Sequence, residues 1–178
     1  NAPRDLVQQL PAPVNKELSQ ELLKQVDLIV ATGSQNNVRA AYTSGTPAFG
    51  VGAGNVAVIV DESADLTDAA AKITASKTFD NATSCSSENS LIVLDSVYSE
   101  TISALTHCGA DMLSVEEKQS LQEVMWQEGR LNPAVLAKPC SELASIVGLA
   151  RKESAEAKFL MVEETNTGKS APFSGEKM

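Results

Sequence analysis

The run FDNATSCSSENSLIV, Phe79 to Val93, sets one cysteine, Cys85, among small polar residues just ahead of an apolar stretch. A nucleophilic thiolate needs reach to a substrate, a local means of favouring the anion and donors for the oxyanion it creates, whereas a structural cysteine packs among apolar neighbours. Thr83, Ser84, Ser86, Ser87 and Asn89 supply that polarity. Covalent attack on a carbonyl is the chemistry this setting suits, although an ordinary free thiol also fits it. A second candidate is the triplet Thr32, Gly33 and Ser34, where an apolar run hands over to a helical pattern. A helix N-terminus there offers free amides and partial positive charge to an anion such as a dinucleotide pyrophosphate. A capped turn is the plain alternative, and the triplet is not the GxGxxG fingerprint. Gly50, Gly52 and Gly54 mark a third place, where backbone turns sharply or comes close to something.

The elements that must hold these residues alternate between helical and strand periodicity, which is an α/β pattern. A helix is predicted over Glu17 to Gln25, a buried strand over Leu28 to Ala31, and a helix capped by Ser34 running to Gly45. Strands follow at Ala48 to Val51 and Val56 to Val60. Asp65 caps a helix in which Leu66, Ala69, Ala70 and Ile73 share a face as far as about Phe79, and its end delivers Cys85. The spacing then predicts a strand over Leu91 to Leu94 and a helix from about Val97 to Thr106. Ser114 with Glu117 forms a capping box, and Asn132 followed by Pro133 opens a short helix. Ser141 opens one more, which stops at Gly148, and Phe159 to Val162 returns as a strand. The tail, Gly168 to Met178, reads as polar and loop-like. The chain opens in the middle of a β/α alternation, so a piece of a longer protein is expected.

Composition narrows the function. The 178 residues carry 14 Lys and Arg against 23 Asp and Glu, a net charge of -9, which repels phosphate backbones and anionic membrane surfaces. Nucleic acid is not an expected partner, and no apolar run is long enough to span a membrane. Cys85, Cys108 and Cys140 are odd in number and unevenly spaced, which suits free thiols in a reducing, cytoplasmic setting better than a disulfide framework or a zinc site. The only histidine, His107, has no metal-ligand spacing around it and reads as a surface residue, so no metal is expected.

Taken in order, the TGS turn, the segment GVGAGNVAVIVDESADL from Gly50 to Leu66 and Cys85 nineteen residues beyond it resemble the aldehyde dehydrogenase superfamily. The resemblance covers nearly the whole chain and is closest to the acylating, coenzyme A-dependent branch. Within it, ATGSQNNVRAAYTSGTPAFGVGAGN and FDNATSCSSENS look most like the sulfoacetaldehyde-oxidising members. It implies a three-layer α/β/α architecture, with residues 1–50 the C-terminal part of an NAD(P)-binding domain and 51–178 part of a catalytic domain. It further implies Cys85 as nucleophile, Gly33 and Ser34 facing the cofactor pyrophosphate, Gly52 on the nicotinamide side and Glu176, in PFSGEKM, on the nicotinamide ribose.

One departure bears on the reaction. Hydrolytic members carry a glutamate in the glycine-rich connection that activates water, and the matching residue here is Val51. A thioester without such a base is relieved by another nucleophile, and a thiol attacks carbonyls well near neutral pH. The expected reaction therefore takes a small aldehyde, NAD or NADP and coenzyme A to an acyl-CoA, with the hydroxyls around Cys85 as candidate donors to a sulfonate. A dimer or tetramer is implied by the resemblance. Acetaldehyde or another short-chain aldehyde is the alternative substrate, and a non-catalytic nucleotide-binding or assembly module is the alternative of another class.

Overall fold

The structure is a computed structural model that describes residues 2–52 and 54–175. Two compact units divide it, Asn1–Ala53 and Gly54–Met178.

In the first unit, α1 (Lys16–Gln25) begins at Asn15, whose side chain accepts from the Leu18 amide at 2.8 Å. Strand β1 (Ile29–Thr32) leads through Gly33 and Ser34 into α2 (Gln35–Thr43), and β2 (Ala48–Val51) returns parallel to β1 with Ile29 opposite Ala48 and Thr32 opposite Val51. Helix α2 buries Val38 and Ala41 against one face of this ribbon. The approach is close at Gly50: a Cβ there would lie 2.6 Å from Val38 and 2.8 Å from Tyr42, so only glycine fits without repacking. The Tyr42 hydroxyl in turn accepts from the Gly50 amide at 2.9 Å. The opposite face of the ribbon, Val30, Phe49 and Val51, is exposed.

The second unit repeats the strand, helix, strand scheme. Strand β3 (Ala57–Val60), α3 (Leu66–Thr78) and β4 (Ser90–Val93) make one parallel pair, with Ala57 opposite Ser90. After α4 (Tyr98–His107), β5 (Ala110–Met112) awaits a distant partner, β8 (Phe159–Met161), which pairs parallel to it. Between them lie α5 (Val115–Met125), the antiparallel pair β6 (Trp126–Gln127) and β7 (Arg130–Leu131), α6 (Cys140–Val147) and α7 (Lys152–Glu156). One core joins Ala70, Ile73, Leu105 and Ala110 under α3 and α4, and a second joins Leu113, Leu121, Met125, Val135 and Phe173.

The caps at Ser34, Asp65, Ser114 with Glu117, and Asn132 are formed as predicted, and Gly148 ends α6 in the left-handed region at φ 80°. Other expectations fail. The tail is not simply polar and loop-like, because Phe173 is only 4% exposed and meets Trp126 edge-on at 4.8 Å. Helix α6 starts one residue early, at Cys140, with Pro139 rather than a serine ahead of it. Strand β5, the β6–β7 pair and α7 escaped prediction altogether. Asp111, charged and in the middle of β5, is held there by Arg151, which donates to its two carboxylate oxygens at 3.0 and 2.8 Å, and by Ser154 at 2.7 Å. Arg151 also donates to Glu117 at 2.7 Å, so one guanidinium ties β5 to the start of α5. Among the described residues, no helix is long and apolar enough to cross a membrane.

Candidate active site

Cys85 lies between α3 and β4, in a connection built from two turns. In the first, Asp80, Asn81 and Ala82 take φ angles of 49°, 50° and 63°, the left-handed region that L side chains disfavour. Asp and Asn tolerate it best among non-glycine residues, alanine does not, and each such residue costs on the order of 1–3 kcal/mol. Two side chains hold the turn. Thr83 Oγ1 donates to the Asp80 carbonyl at 2.7 Å, and Asn81 Nδ2 donates at 3.2 Å to the carbonyl of Ala137, itself left-handed at φ 57°. The second turn is closed by the Ser87 amide donating to Ser84 O at 3.0 Å, which puts Cys85 at its first central position. Cys85 is exposed there. Ser84 and Ser86 hydroxyls lie 2.8 Å apart, so these hydroxyls and Thr83 brace the turns that carry the cysteine.

Beneath this connection the polar groups are buried. Ser87 Oγ and Glu88 Oε2 are buried without a hydrogen-bond partner among the described residues. Lys77, in the last turn of α3, reaches Asn89 Oδ1 at 3.5 Å, and burial lowers its pKa while the nearby Glu88 carboxylate pulls it back up. Lys77, Glu88 and Asn89 line a cavity of about 1160 Å³ within the second unit.

The other two thiols differ from Cys85. Cys140 is half-buried with its sulfur 3.7 Å from the Ser154 carbonyl, and burial, with Asp111 adding to it, pushes its thiol up to about 11. Cys108 is half-buried at the end of α4. His107 Nδ1 lies 2.7 Å from Ser103 O on the same helix, and no metal-binding cluster occurs among the described residues.

Three of the expected cofactor residues meet in the first unit, at the C-terminal ends of β1 and β2. Gly33 sits at φ 109°, where a side chain would strain the backbone, and its amide donates to Val51 O at 3.2 Å. Ser34 caps α2, accepting from the Asn37 amide at 3.3 Å. Gly52 follows β2, and a Cβ there would meet the Gln35 side chain at 2.7 Å. Val51 ends β2 and is 63% exposed. Glu176 lies outside the described residues. The left-handed turn at Asp80 to Ala82 was missed by sequence reasoning, since no glycine announces it.

The chain matches the Aldehyde dehydrogenase family over residues 1–170. It belongs to the aldehyde dehydrogenase family. It is 56% identical to the sulfoacetaldehyde dehydrogenase (acylating) of Cupriavidus necator over 176 residues, 99% of this chain and 36% of that relative. Among solved structures it is similar to an acetylating aldehyde dehydrogenase from Geobacillus thermoglucosidasius, with a TM-score of 0.84 and 39% identity over 89% of this chain and 35% of the other. A propionaldehyde dehydrogenase from Rhodopseudomonas palustris, solved with bound CoA and an acylated cysteine, gives a TM-score of 0.75 at 27% identity over 88% of this chain and 36% of the other. This aldehyde dehydrogenase chain thus spans about a third of the length of these relatives. The family and its acylating branch, expected from the TGS, glycine-rich and cysteine segments, are borne out by these relatives.

Proposed function

We propose that the complete protein oxidises a small aldehyde, sulfoacetaldehyde, to its acyl-CoA thioester with NAD(P)+, through a covalent intermediate on Cys85. The observation that carries this reading is the exposed thiol at the tip of a braced turn, in a chain whose R. palustris relative was solved with an acylated cysteine. The Cys85 thiolate attacks the aldehyde carbon and forms a thiohemiacetal, whose oxyanion is held by backbone donors of the turn. Collapse of that adduct expels hydride and leaves a thioester on Cys85. The nicotinamide, when bound, supplies the hydride acceptor. The coenzyme A thiol, giving its proton to solvent, then attacks the thioester carbonyl, the C–S bond to Cys85 breaks, and the Cys85 thiolate is regenerated.

The first unit suits the dinucleotide. Gly33 and Ser34 open α2, whose leading amides and partial positive charge favour a pyrophosphate at the strand ends. Gly52, without a side chain, leaves room for the nicotinamide side, and Glu176 would hold the ribose. Val51 supports coenzyme A rather than water as acceptor, because an exposed valine in the position of the water-activating glutamate offers no proton acceptor. The first 50 residues are assigned to the cofactor domain and the rest to the catalytic domain. A dimer or tetramer in the cytoplasm completes the proposal, a setting that suits three free cysteines.

In the complete protein, Cys85→Ala is expected to abolish nicotinamide reduction while nucleotide binding and fold persist. Substantial residual dehydrogenase activity would refute the nucleophile assignment. Wild-type turnover of sulfoacetaldehyde, acetaldehyde and propanal, each with and without coenzyme A, tests substrate and acceptor. Preference for acetaldehyde or propanal would overturn the substrate, and turnover unaffected by coenzyme A would overturn the acceptor.

A further inference from the structure

The hydroxyls of Thr83, Ser84, Ser86 and Ser87 flank Cys85, and the structure separates them by what each already does. Thr83 is committed to its own turn, its single hydrogen shared between the Asp80 carbonyl at 2.7 Å and Asp80 Oδ2 at 2.8 Å. Ser87 is 1% exposed, so its hydroxyl is out of reach of a molecule arriving from solvent. Ser84 and Ser86 remain. They adjoin the exposed Cys85 on either side, Ser86 exposed and Ser84 partly so, and their oxygens lie 2.8 Å apart. In such a pair one hydroxyl donates to the other, and the hydrogen of the accepting serine is left without an acceptor among the described residues. Hydroxyl hydrogens rotate, so the pair can turn one or both toward an arriving acceptor.

The substrate's own geometry says where such an acceptor would sit. In sulfoacetaldehyde a single methylene separates the carbonyl carbon from the sulfonate. Once that carbon approaches Cys85 Sγ, the anionic oxygens lie beside the residues that adjoin the cysteine. The acidic side chains nearest in sequence are occupied or withdrawn, since Asp80 Oδ2 takes the Thr83 hydroxyl and Glu88 Oε2 is buried. Propanal carries a methyl group in place of the sulfonate and offers these hydroxyls nothing. A site built to hydrogen-bond one group discriminates against the analogue that lacks it.

We propose that the hydroxyl pair of Ser84 and Ser86 is the sulfonate-recognising element of this active site, donating to the sulfonate oxygens while Cys85 attacks the carbonyl carbon. The inference rests on the reading of Cys85 as nucleophile and sulfoacetaldehyde as substrate, and adds the residues that select that substrate. Both serines keep their protons throughout, and the backbone donors of the turn are left for the oxyanion.

The test is a specificity ratio in the complete protein, kcat/KM for sulfoacetaldehyde over kcat/KM for propanal, with NAD(P)+ and coenzyme A in excess. Loss of hydrogen bonds to a charged group is expected to lower that ratio about 10- to 100-fold in Ser84→Ala/Ser86→Ala. Ethanesulfonate, which has the anion without the aldehyde, is expected to inhibit propanal turnover by the wild type and to lose a similar factor in that variant. Thr83→Val is expected to slow both aldehydes together, because its hydroxyl serves the turn. If the double variant does not fold, Ser84→Ala and Ser86→Ala singly carry the same test. An equal fall for both aldehydes, with the wild-type preference for sulfoacetaldehyde intact, would overturn the proposal alone and leave the pair as a brace of the turn. So would a ratio that falls as far in Thr83→Val. A wild type with no preference for sulfoacetaldehyde would remove the substrate reading itself, and this inference with it.

Discussion

In the complete protein, a limiting amount of iodoacetamide at about pH 8 should modify Cys85 well before Cys140, and the margin can be worked from the surroundings of each sulfur. Burial beside Asp111 pushes the Cys140 thiol up to about 11. At about pH 8 such a thiol is ionised in about one molecule per thousand, against about one in four for an ordinary thiol near 8.5. The rarer thiolate is the better nucleophile, and a Brønsted slope of about 0.4–0.5 returns roughly tenfold of that deficit. The net handicap is about twentyfold from ionisation alone. Limited access to a half-buried sulfur adds to it, while Cys85 stands exposed on its turn. Peptide mapping by mass spectrometry over a time course gives both rates, with half-buried Cys108 as an internal comparison. The Cys140 rate should also climb about tenfold per pH unit until the pH nears its pKa. Alkylation of Cys140 as fast as Cys85 at about pH 8, or a Cys140 rate that ignores pH, would refute the reasoning.

Three further outcomes are expected. Leu105→Ala, at a side chain fully buried between α3 and α4, should cost about 2–5 kcal/mol, seen as a lowered urea midpoint; a change below about 1 kcal/mol would contradict that packing. Asn81→Gly allows the left-handed backbone but frees the turn from Ala137, so kcat should fall with less loss of thermal stability than in Asn81→Ala; equal stability losses would show that strain at Asn81 is unimportant. Arg151 holds the Glu117 carboxyl below its usual range, and Lys118 does the same for Glu164. A depressed folded-state pKa contributes stability that is present above the unfolded value of about 4.3 and is lost as pH falls through the folded value. Urea midpoints should therefore hold at neutral pH and fall below about pH 4, with a shallower acid limb in Arg151→Met. An unchanged limb would sink that account.

What could be read from the residues alone was whatever is local. Ser34, Asp65, Ser114 with Glu117, Asn132 and Gly148 satisfy backbone groups within their own turns, so their chemistry is visible in a few consecutive letters. The polar setting of Cys85 was legible for the same reason, whereas Gly33 and Ser34 meet Gly52 only because β1 pairs with β2, and their shared cofactor role was expected from the family resemblance alone. Strand β5 was not: its three residues include a charge, and it becomes a strand only through β8, some fifty residues on, and through Arg151. Phe173 was hidden because its partner Trp126 is remote in sequence and its neighbours are polar or small. The turn at Asp80 to Ala82 was hidden because its left-handed backbone is enforced by Asn81 reaching Ala137, not by a glycine.

The uncovered side of the β1–β2 ribbon has a consequence for handling the polypeptide. Val30, Phe49 and Val51 make a greasy strip on a sheet two strands wide. Such a strip is sticky, so yield in concentrated solution should depend on a holdase or a low protein concentration more than on any gain in final stability.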